Sequence, residues 1–240
     1  MKRILVFGAS GNVGPHVVPF LEPFYEVHLA DIKPHPFGKP VRRVDMTSYE
    51  QVFDAMEGMD GGINFTVLRD DPVVSFEVNV KGAYHMMRAA AALGIHRVVH
   101  TAAQSARYWF DNDFDVDHIP EWLGTGYYML TKYLSQEICR TYARTFGIQT
   151  VCFLFNGLGP KPTGPVKGDF PPFTVIWEDL AHACRLALGR ESIADDFQYF
   201  NLHSHIGQGK YAIDKTRRLL GYEPLERWEA YFRREVEKTA

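Results

Sequence analysis

Cysteine is scarce in this chain of 240 residues. The three cysteines, Cys139, Cys152 and Cys184, are odd in number and lack the paired spacing of a metal site. They are typical of small buried side chains in a reducing compartment. No metal site is predicted.

A large excess of charge of one sign is also absent. The formal net charge is −3 at pH 7, whereas a phosphate backbone selects a strongly basic surface. Nucleic acid is therefore not an expected partner.

Long apolar runs are missing as well. The N-terminal stretch "MKRILVFGASG" reaches glycine after four apolar residues, well short of a signal peptide's apolar segment or a membrane span. We expect a cytoplasmic protein with no membrane partner.

The composition that is present is that of a globular protein, with 46% hydrophobic and 23% charged residues. The sequence shows no internal repeat or low-complexity tail. A chain of this length commonly forms one α/β core. We expect one domain over residues 1–240.

Strand-like and helix-like segments alternate along most of the chain. Strands are predicted at "RILVFG", "YEVHLADI", "GGINFTVL", "RVVHTA" and "QTVCFLF". Helices are predicted between them at "VGPHVVPFLEPF", "QVFDAMEG", "SFEVNVKGAYHMMRAAAALG" and "TGYYMLTKYLSQE". Strands separated by helices pair in parallel through right-handed crossovers. The sequence therefore predicts an α/β fold, a Rossmann-like doubly wound parallel sheet with helices on both faces.

The pattern changes from Gly157 onward. The stretch "GLGPKPTGPVKGDFPPF" is crowded with glycine and proline and predicts a loop near the site. Helical patterns at "WEDLAHACRLALG" and "YAIDKTRRLLGYEPLERWEAYFRREVEK" follow, with a strand at "FQYFNLHS" between them. We expect residues 157–240 to contribute a small substrate-binding cap.

A glycine triplet follows the first strand directly. Gly8, Gly11 and Gly14 open the first helix, where backbone can approach a pyrophosphate closely and the helix N-terminus can hold its charge. The G-x-x-G-x-x-G spacing is wider at its start than the commonest dinucleotide pattern. Taken alone, it also fits a structural tight turn.

Acidic residues end two of the early strands. Asp31 ends the second strand, where a carboxylate can accept both hydrogen bonds of an adenosine ribose and would repel a 2′-phosphate. This favours NAD, although Lys33 leaves room for NADP and Asp31 also fits a simple turn. Asp45 fits either a contact with the adenine amino group or an N-cap for the next helix.

The motifs together resemble the extended short-chain dehydrogenase/reductase superfamily, which contains the NAD-dependent epimerases and dehydratases. The resemblance runs nearly end to end. It rests on "GASGNVG", "ADI", "VDMTS", "NVKGAYHMMRAAAALGIHRVVHTA", "YYMLTK", "FNGLGP", "WEDLAHA" and "LGYEP", in the family's order.

The resemblance implies that Tyr128 exchanges a proton with a substrate oxygen as hydride passes to or from a nicotinamide. A tyrosine pKa is ordinarily about 10, and the ammonium of Lys132 would lower it. Lys132 would also bind the nicotinamide ribose. Without this context, the pair also fits an exposed helix face.

The same resemblance places further residues around the ligands. The residues expected at the cofactor are Gly8, Ser10, Gly11, Asn12, Val13, Gly14, Asp31, Ile32, Asp45, Met46, Phe65, Thr66, Asn79, Thr101, Tyr128, Lys132, Phe155 and Asn156. Those expected at the substrate are Val67, Ala103, Gln104, Ser105, Arg107, Tyr128 and Asn156.

Two positions depart from the family's pattern. The hydroxyl that usually polarises the substrate carbonyl falls at Ala103, which has none, so Thr101 and Ser105 are the candidate substitutes. The family's usual arginine falls at Phe153, which removes a bidentate cation, and Arg107 is the candidate replacement.

These expectations predict an NAD-dependent oxidoreductase acting on a secondary alcohol or carbonyl of a sugar, a sugar acid or a similar small polyol. The short region after the last core strand favours the size class of the uronate dehydrogenases. The alternatives are a nucleotide-sugar epimerase or dehydratase with transient NAD reduction, and a non-catalytic dinucleotide-binding sensor. Family members often pair through the helices at 75–94 and 127–146, so a homodimer is expected.

Overall fold

The computed structural model describes residues 2–103, 124–162, 174–204 and 212–225. The strands in these ranges are β1 (Arg3–Phe7), β2 (Glu26–Asp31), β3 (Arg42–Arg43), β4 (Gly61–Asn64), β5 (Arg97–Ala103), β6 (Gln149–Phe155), β7 (Gly157–Gly159), β8 (Thr174–Ile176) and β9 (Phe197–Asn201).

Seven of these strands form one sheet in the order β3-β2-β1-β4-β5-β6-β9. Every neighbouring pair in it is parallel. β7 and β8 form a separate two-stranded parallel sheet. The order reverses between β1 and β4, as in a doubly wound fold, and the predicted Rossmann-like sheet is confirmed.

The α-helices in the described ranges are α1 (Gly14–Val17), α2 (Tyr49–Met56), α3 (Pro72–Ser75), α4 (Gly82–Leu93), α5 (Tyr127–Phe146) and α6 (Trp177–Gly189). Among these helices, none has both the length and the apolar character needed to cross a bilayer.

The first helix is shorter than the sequence pattern predicts. A helix is expected over residues 13–24, but α1 ends at Val17 and a 3₁₀ turn follows over Val18–Phe20. Pro19 and Pro23 lack the backbone N–H that would continue the ladder of hydrogen bonds. Proline therefore limits this helix to about two turns.

The helix predicted over residues 75–94 forms in three consecutive parts. Asp71 caps α3 by accepting a hydrogen bond from the backbone N–H of Val74 (2.8 Å). A π-helical turn, Phe76–Lys81, joins α3 to α4. Gly94 then ends α4 in the left-handed conformation, with φ of 67°.

Each face of the main sheet covers its own core. Along β1, Ile4 and Val6 belong to the core under α1 and α6, whereas Leu5 and Phe7 belong to the core under α2, α4 and α5. This alternation follows from the period of two in a strand. In such a sheet, covered on both faces, ligands bind at the carboxyl edge of the strands.

The region predicted as a cap is only partly separate from the core. Within residues 157–240, α6 covers one face of the main sheet and β9 extends its edge. These two elements therefore belong to the main layers. β7 and β8 lie outside the main sheet, and a cap role for the remainder stays a prediction.

Candidate active site

The turn after β1 lies where the strand order reverses. Gly8 has a φ of +74°, and a Cβ there would lie 2.7 Å from the backbone nitrogen of Thr66 at the end of β4. A Cβ on Gly14 would lie 2.5 Å from the Cα of Ala9, so α1 packs directly on the turn. Gly11 is exposed, and its Cβ would meet only a carbonyl oxygen at 3.4 Å. The protein's own packing requires the outer two glycines, whereas Gly11 leaves bare, accessible backbone.

Asp31 joins the end of β2 to this turn. Its Oδ2 accepts a hydrogen bond from the backbone N–H of Ser10 (2.9 Å), and its Oδ1 accepts one from that of Lys33 (3.0 Å). The hydroxyl of Ser10 donates to the carbonyl of Lys33 (3.0 Å). Each carboxylate oxygen keeps a lone pair for another donor, as binding of a ribose diol requires. The adjacent Ile32 is 47% exposed.

Asp45 does not cap the following helix. Its Oδ1 accepts hydrogen bonds from the backbone N–H (2.9 Å) and the hydroxyl (2.8 Å) of Thr47. The N-cap of α2 is Ser48, whose hydroxyl accepts a hydrogen bond from the backbone N–H of Gln51 (3.4 Å). Of the two interpretations left open by the sequence, the cap is wrong. Met46 is buried in the core beside α4.

Asn79 is an anchor for the loop after β4. Its Oδ1 accepts a hydrogen bond from the backbone N–H of Leu68 (2.8 Å), and its Nδ2 donates to the carbonyl of Leu68 (2.7 Å) and to the hydroxyl of Thr131 (3.0 Å). Both amide hydrogens are therefore used inside the protein. Phe65 is buried at the start of this loop, and Val67 is half-buried within it.

Lys132 is buried although its side chain is basic, with 5% of its surface exposed. Its Nζ donates to the carbonyl of Thr101 at 3.0 Å and to that of Thr66 at 3.4 Å. These carbonyls lie in β5 and just after β4, so the ammonium lies near the carboxyl edge of the sheet. Tyr128 lies one turn earlier on the same face of α5, and within the described residues its hydroxyl has no hydrogen-bond partner.

Burial shifts both groups. It lowers the pKa of Lys132 from 10.5 to about 8, because desolvation disfavours the charged amine. Burial raises the pKa of Tyr128, and the positive charge of Arg69 acts in the opposite direction. The guanidinium carbon of Arg69 lies 5.7 Å from the centre of the Tyr128 ring.

Sequence reasoning missed Arg69 and also a buried network around His100. The Nδ2 of Asn64 donates to Nδ1 of His100 (3.3 Å), and Nε2 of His100 then donates to the hydroxyl of Ser135 (3.0 Å). That hydroxyl donates to the carbonyl of Lys132 (2.9 Å). Burial lowers the pKa of His100 to about 3. A polar residue within the apolar strand "RVVHTA" was the available signal.

Of the two predicted substitute hydroxyls, that of Thr101 lies within the described residues. Thr101 is buried, and its hydroxyl donates to the carbonyl of Asn64 (3.0 Å). Its proton is therefore used between β5 and β4, and a catalytic role as donor is not supported. Ala103 is buried at the end of β5. Gln104, Ser105 and Arg107 lie outside the described residues.

Positions at the end of β6 divide between core and surface. Phe153 is fully buried in the core under α6, so no cation reaches the site from this strand position. Phe155 is half-buried, and Asn156 is exposed just beyond β6. Asn12 is also exposed and Val13 is half-buried, both in the glycine turn.

These residues fit a dinucleotide along the carboxyl edge of the sheet. Bare backbone at Gly11 leaves space where a Cβ would intrude, and Asp31 retains acceptor capacity. Lys132 uses two of its three hydrogens on carbonyls within the described residues and keeps one for a ligand.

Comparison with known proteins agrees with this arrangement. A family model described as the NAD dependent epimerase/dehydratase family matches residues 4–173. The uronate dehydrogenase of Pseudomonas putida is 28% identical over 171 residues, covering 67% of this chain and 63% of that protein. The matched segment thus spans less than two thirds of this relative.

Solved structures share the fold. The glucuronic acid dehydrogenase from Chromohalobacter salexigens matches with a TM-score of 0.80 at 22% identity, over 95% of this chain and 86% of that chain. A mutant of the uronate dehydrogenase from Agrobacterium tumefaciens, complexed with NAD, matches with a TM-score of 0.82 at 20% identity, over 96% and 87%. From the family match over most of its length, together with the strand order and the glycine turn, the chain belongs to the NAD-dependent epimerase/dehydratase family.

Proposed function

We propose that the protein is an NAD-dependent oxidoreductase that acts on a secondary alcohol or carbonyl of a sugar acid or a similar small polyol. The observation that carries this proposal is the placement of Tyr128 and Lys132. A buried ammonium is held by two strand-end carbonyls, and a phenol without a hydrogen-bond partner among the described residues lies one turn away.

Tyr128 would exchange a proton with the substrate oxygen. A bound nicotinamide dinucleotide supplies the hydride acceptor or donor. Burial keeps the phenol protonated, while nearby positive charge favours the phenolate, so the group can act in either direction. Lys132 would orient the ribose through its remaining hydrogen and add its charge beside the phenol.

NAD is proposed over NADP because of Asp31. Its carboxylate is fixed by two backbone N–H groups and would repel a 2′-phosphate. Lys33 belongs to the same turn through its backbone. Its basic side chain is the feature that could weaken the preference for NAD over NADP. Binding of both dinucleotides should be measured by calorimetry.

Replacing Tyr128 with phenylalanine tests the proposal. Tyr128→Phe should lower kcat on a responsive sugar acid by about 10²- to 10⁴-fold while NAD binding is retained. Tyr133→Phe removes a hydroxyl from the same helix and should stay within about twofold of the unmodified protein, a margin typical of a neutral surface change. The measurement is the appearance of reduced nicotinamide with a panel of uronic, aldonic and free sugars.

Three results would count against the proposal, and two of them would favour its alternatives. Turnover of a nucleotide sugar with all free sugars inactive would favour an epimerase or dehydratase. Unchanged turnover in Tyr128→Phe would remove the tyrosine from the chemistry, and NAD binding without any turnover would favour a sensor.

We also infer a homodimer formed through α4 and α5. Tyr84 and Phe146 are 38% and 53% exposed. Tyr142 joins them, with ring centres 5.8 Å from Tyr84 and 5.4 Å from Phe146. This aromatic strip crosses two adjacent helices, and pairing with a second copy would bury it.

A further inference from the structure

The loop after β4 carries a positive charge beside the candidate catalytic tyrosine. The guanidinium carbon of Arg69 lies 5.7 Å from the centre of the Tyr128 ring. The side chain of Arg69 is exposed and forms no ion pair with the part of the chain that the structure describes. Its donors are therefore available at the place where a substrate would meet the tyrosine.

The backbone of this loop is held in place at the arginine and at the residue before it. The hydroxyl of Tyr127 donates to the carbonyl of Arg69 (2.5 Å). One residue earlier, Leu68 is bound through its N–H and its carbonyl by Asn79, and its carbonyl also accepts a hydrogen bond from Ser75 (3.0 Å). A fixed backbone limits the positions that the guanidinium can reach, which suits a binding residue.

Arg69 also fills a chemical need of the site. The arginine that the family resemblance leads one to expect on β6 is replaced by Phe153, which is fully buried. Arg69 supplies a cation from a different strand end. A guanidinium binds a carboxylate through two parallel hydrogen bonds of about 2.8 Å, a geometry that fixes the orientation of a small ligand.

We propose that Arg69 binds the carboxylate of a sugar acid and thereby directs its reacting hydroxyl toward Tyr128. This inference rests on the proposed oxidoreductase function and names the charge of its substrate. Phosphate offers the same oxygen chemistry, but Asp70 and Asp71 directly follow Arg69 and are exposed. An arginine followed in the chain by two carboxylates suits one negative charge better than a phosphate dianion.

The test compares substrates that differ only at one carbon. Glucuronate, glucose and glucose 6-phosphate are assayed with saturating NAD, using the unmodified protein, Arg69→Gln, Arg69→Lys and Arg144→Gln. Arg144 is an exposed arginine at the far end of α5, so Arg144→Gln makes the same charge change away from the site. Circular dichroism confirms folding of each variant.

Arg69→Gln should lower the ratio of kcat/KM for glucuronate to kcat/KM for glucose by about 10- to 100-fold, mainly through KM, because hydrogen bonds to a charged group are lost. The ratio for Arg69→Lys should lie between those of the unmodified protein and Arg69→Gln, since lysine keeps the charge and loses the bidentate geometry. Arg144→Gln should leave the ratio unchanged.

An equal loss on glucuronate and glucose would overturn the inference, because Arg69 would then act on Tyr128 or on the loop. A preference for glucose 6-phosphate that Arg69→Gln removes would overturn the choice of carboxylate. If no sugar is turned over, the oxidoreductase proposal fails, and calorimetric binding of glucuronate to the NAD complex decides the inference separately. If glucuronate binds and Arg69→Gln weakens that binding, the role of Arg69 is supported. If glucuronate does not bind, that role is rejected.

Discussion

Lys132 keeps an ionisable group inside the protein at a cost. Burial lowers its pKa to about 8, so the amine remains mostly charged at neutral pH. The two strand-end carbonyls offset part of the desolvation penalty by accepting its hydrogens. Such a buried and partly compensated charge is more common at functional sites than in ordinary cores, which agrees with the role proposed for it.

His100 should make stability depend on pH. Its pKa is about 3 in the folded protein and about 6.5 when unfolded. Between these values the unfolded chain binds more protons, so the free energy of unfolding falls as pH drops below 6.5. Relative to pH 7.5, we expect this residue to remove about 3 kcal/mol at pH 4.5.

Urea unfolding of the unmodified protein and His100→Gln measures this contribution. Titrations common to both proteins cancel, so the stability advantage of the unmodified protein should shrink by that amount between pH 7.5 and 4.5. A constant difference would contradict the expectation. NMR of the His100 ring provides a check without a variant, because its shifts should not change over this pH range.

The turn between β1 and α1 is constrained by its neighbour as well as by its own backbone. Gly8 and Gly94 have similar left-handed φ angles, 74° and 67°. A Cβ on Gly94 would meet nothing within 4 Å, whereas one on Gly8 would lie 2.7 Å from backbone of the β4 end. Comparing the two glycines therefore separates the energetic cost of the left-handed conformation from that of steric overlap.

Alanine at each of these glycines should give different losses of stability. Gly94→Ala should lower the free energy of unfolding by about 1–2 kcal/mol, the usual cost of the left-handed conformation. Gly8→Ala should cost clearly more and also weaken NAD binding, because the ends of β1 and β4 must separate. The measurements are urea denaturation and NAD titration. Equal losses at both positions would show that the β4 end adjusts freely.

The two faces of the main sheet leave one edge for chemistry and one exposed helical surface for assembly. α6 and α1 cover one face, and α2, α4 and α5 cover the other. The aromatic strip lies on the outside of α4 and α5, away from the strand ends. One chain can therefore hold the site while its helices pair with a second copy.

The single domain and the cytoplasmic location stay predictions from sequence.

A charged residue in the aromatic strip should dissociate the inferred dimer. Phe146→Glu should weaken self-association by at least about 30-fold, as expected for a central apolar contact, because a carboxylate would have to be desolvated. Leu225→Glu changes another exposed apolar residue, 55% exposed, and should leave association unchanged. Sedimentation velocity over a concentration series measures both. A monomeric unmodified protein would reject the inferred dimer.

Local sequence patterns predicted the elements and much of the cofactor edge. Alternating apolar runs identify strands and helices because burial on one face repeats with the period of each element, and α6 begins and ends where its pattern does. The glycine triplet and Asp31 lie together because the triplet directly follows β1 and Asp31 ends the neighbouring strand β2. The first helix is shorter than its pattern predicts, because proline interrupts the helical hydrogen bonds.

Contacts between distant segments determined the rest. His100 meets Ser135 across 35 positions, and Tyr127 meets Arg69 across 58. No local pattern encodes such pairs, because parallel strands bring remote segments together only when the sheet forms. The motifs thus identified the family and the tyrosine–lysine pair. The tertiary structure alone determined that the Thr101 hydroxyl donates within the sheet, that Lys132 is buried and that a cation lies beside Tyr128.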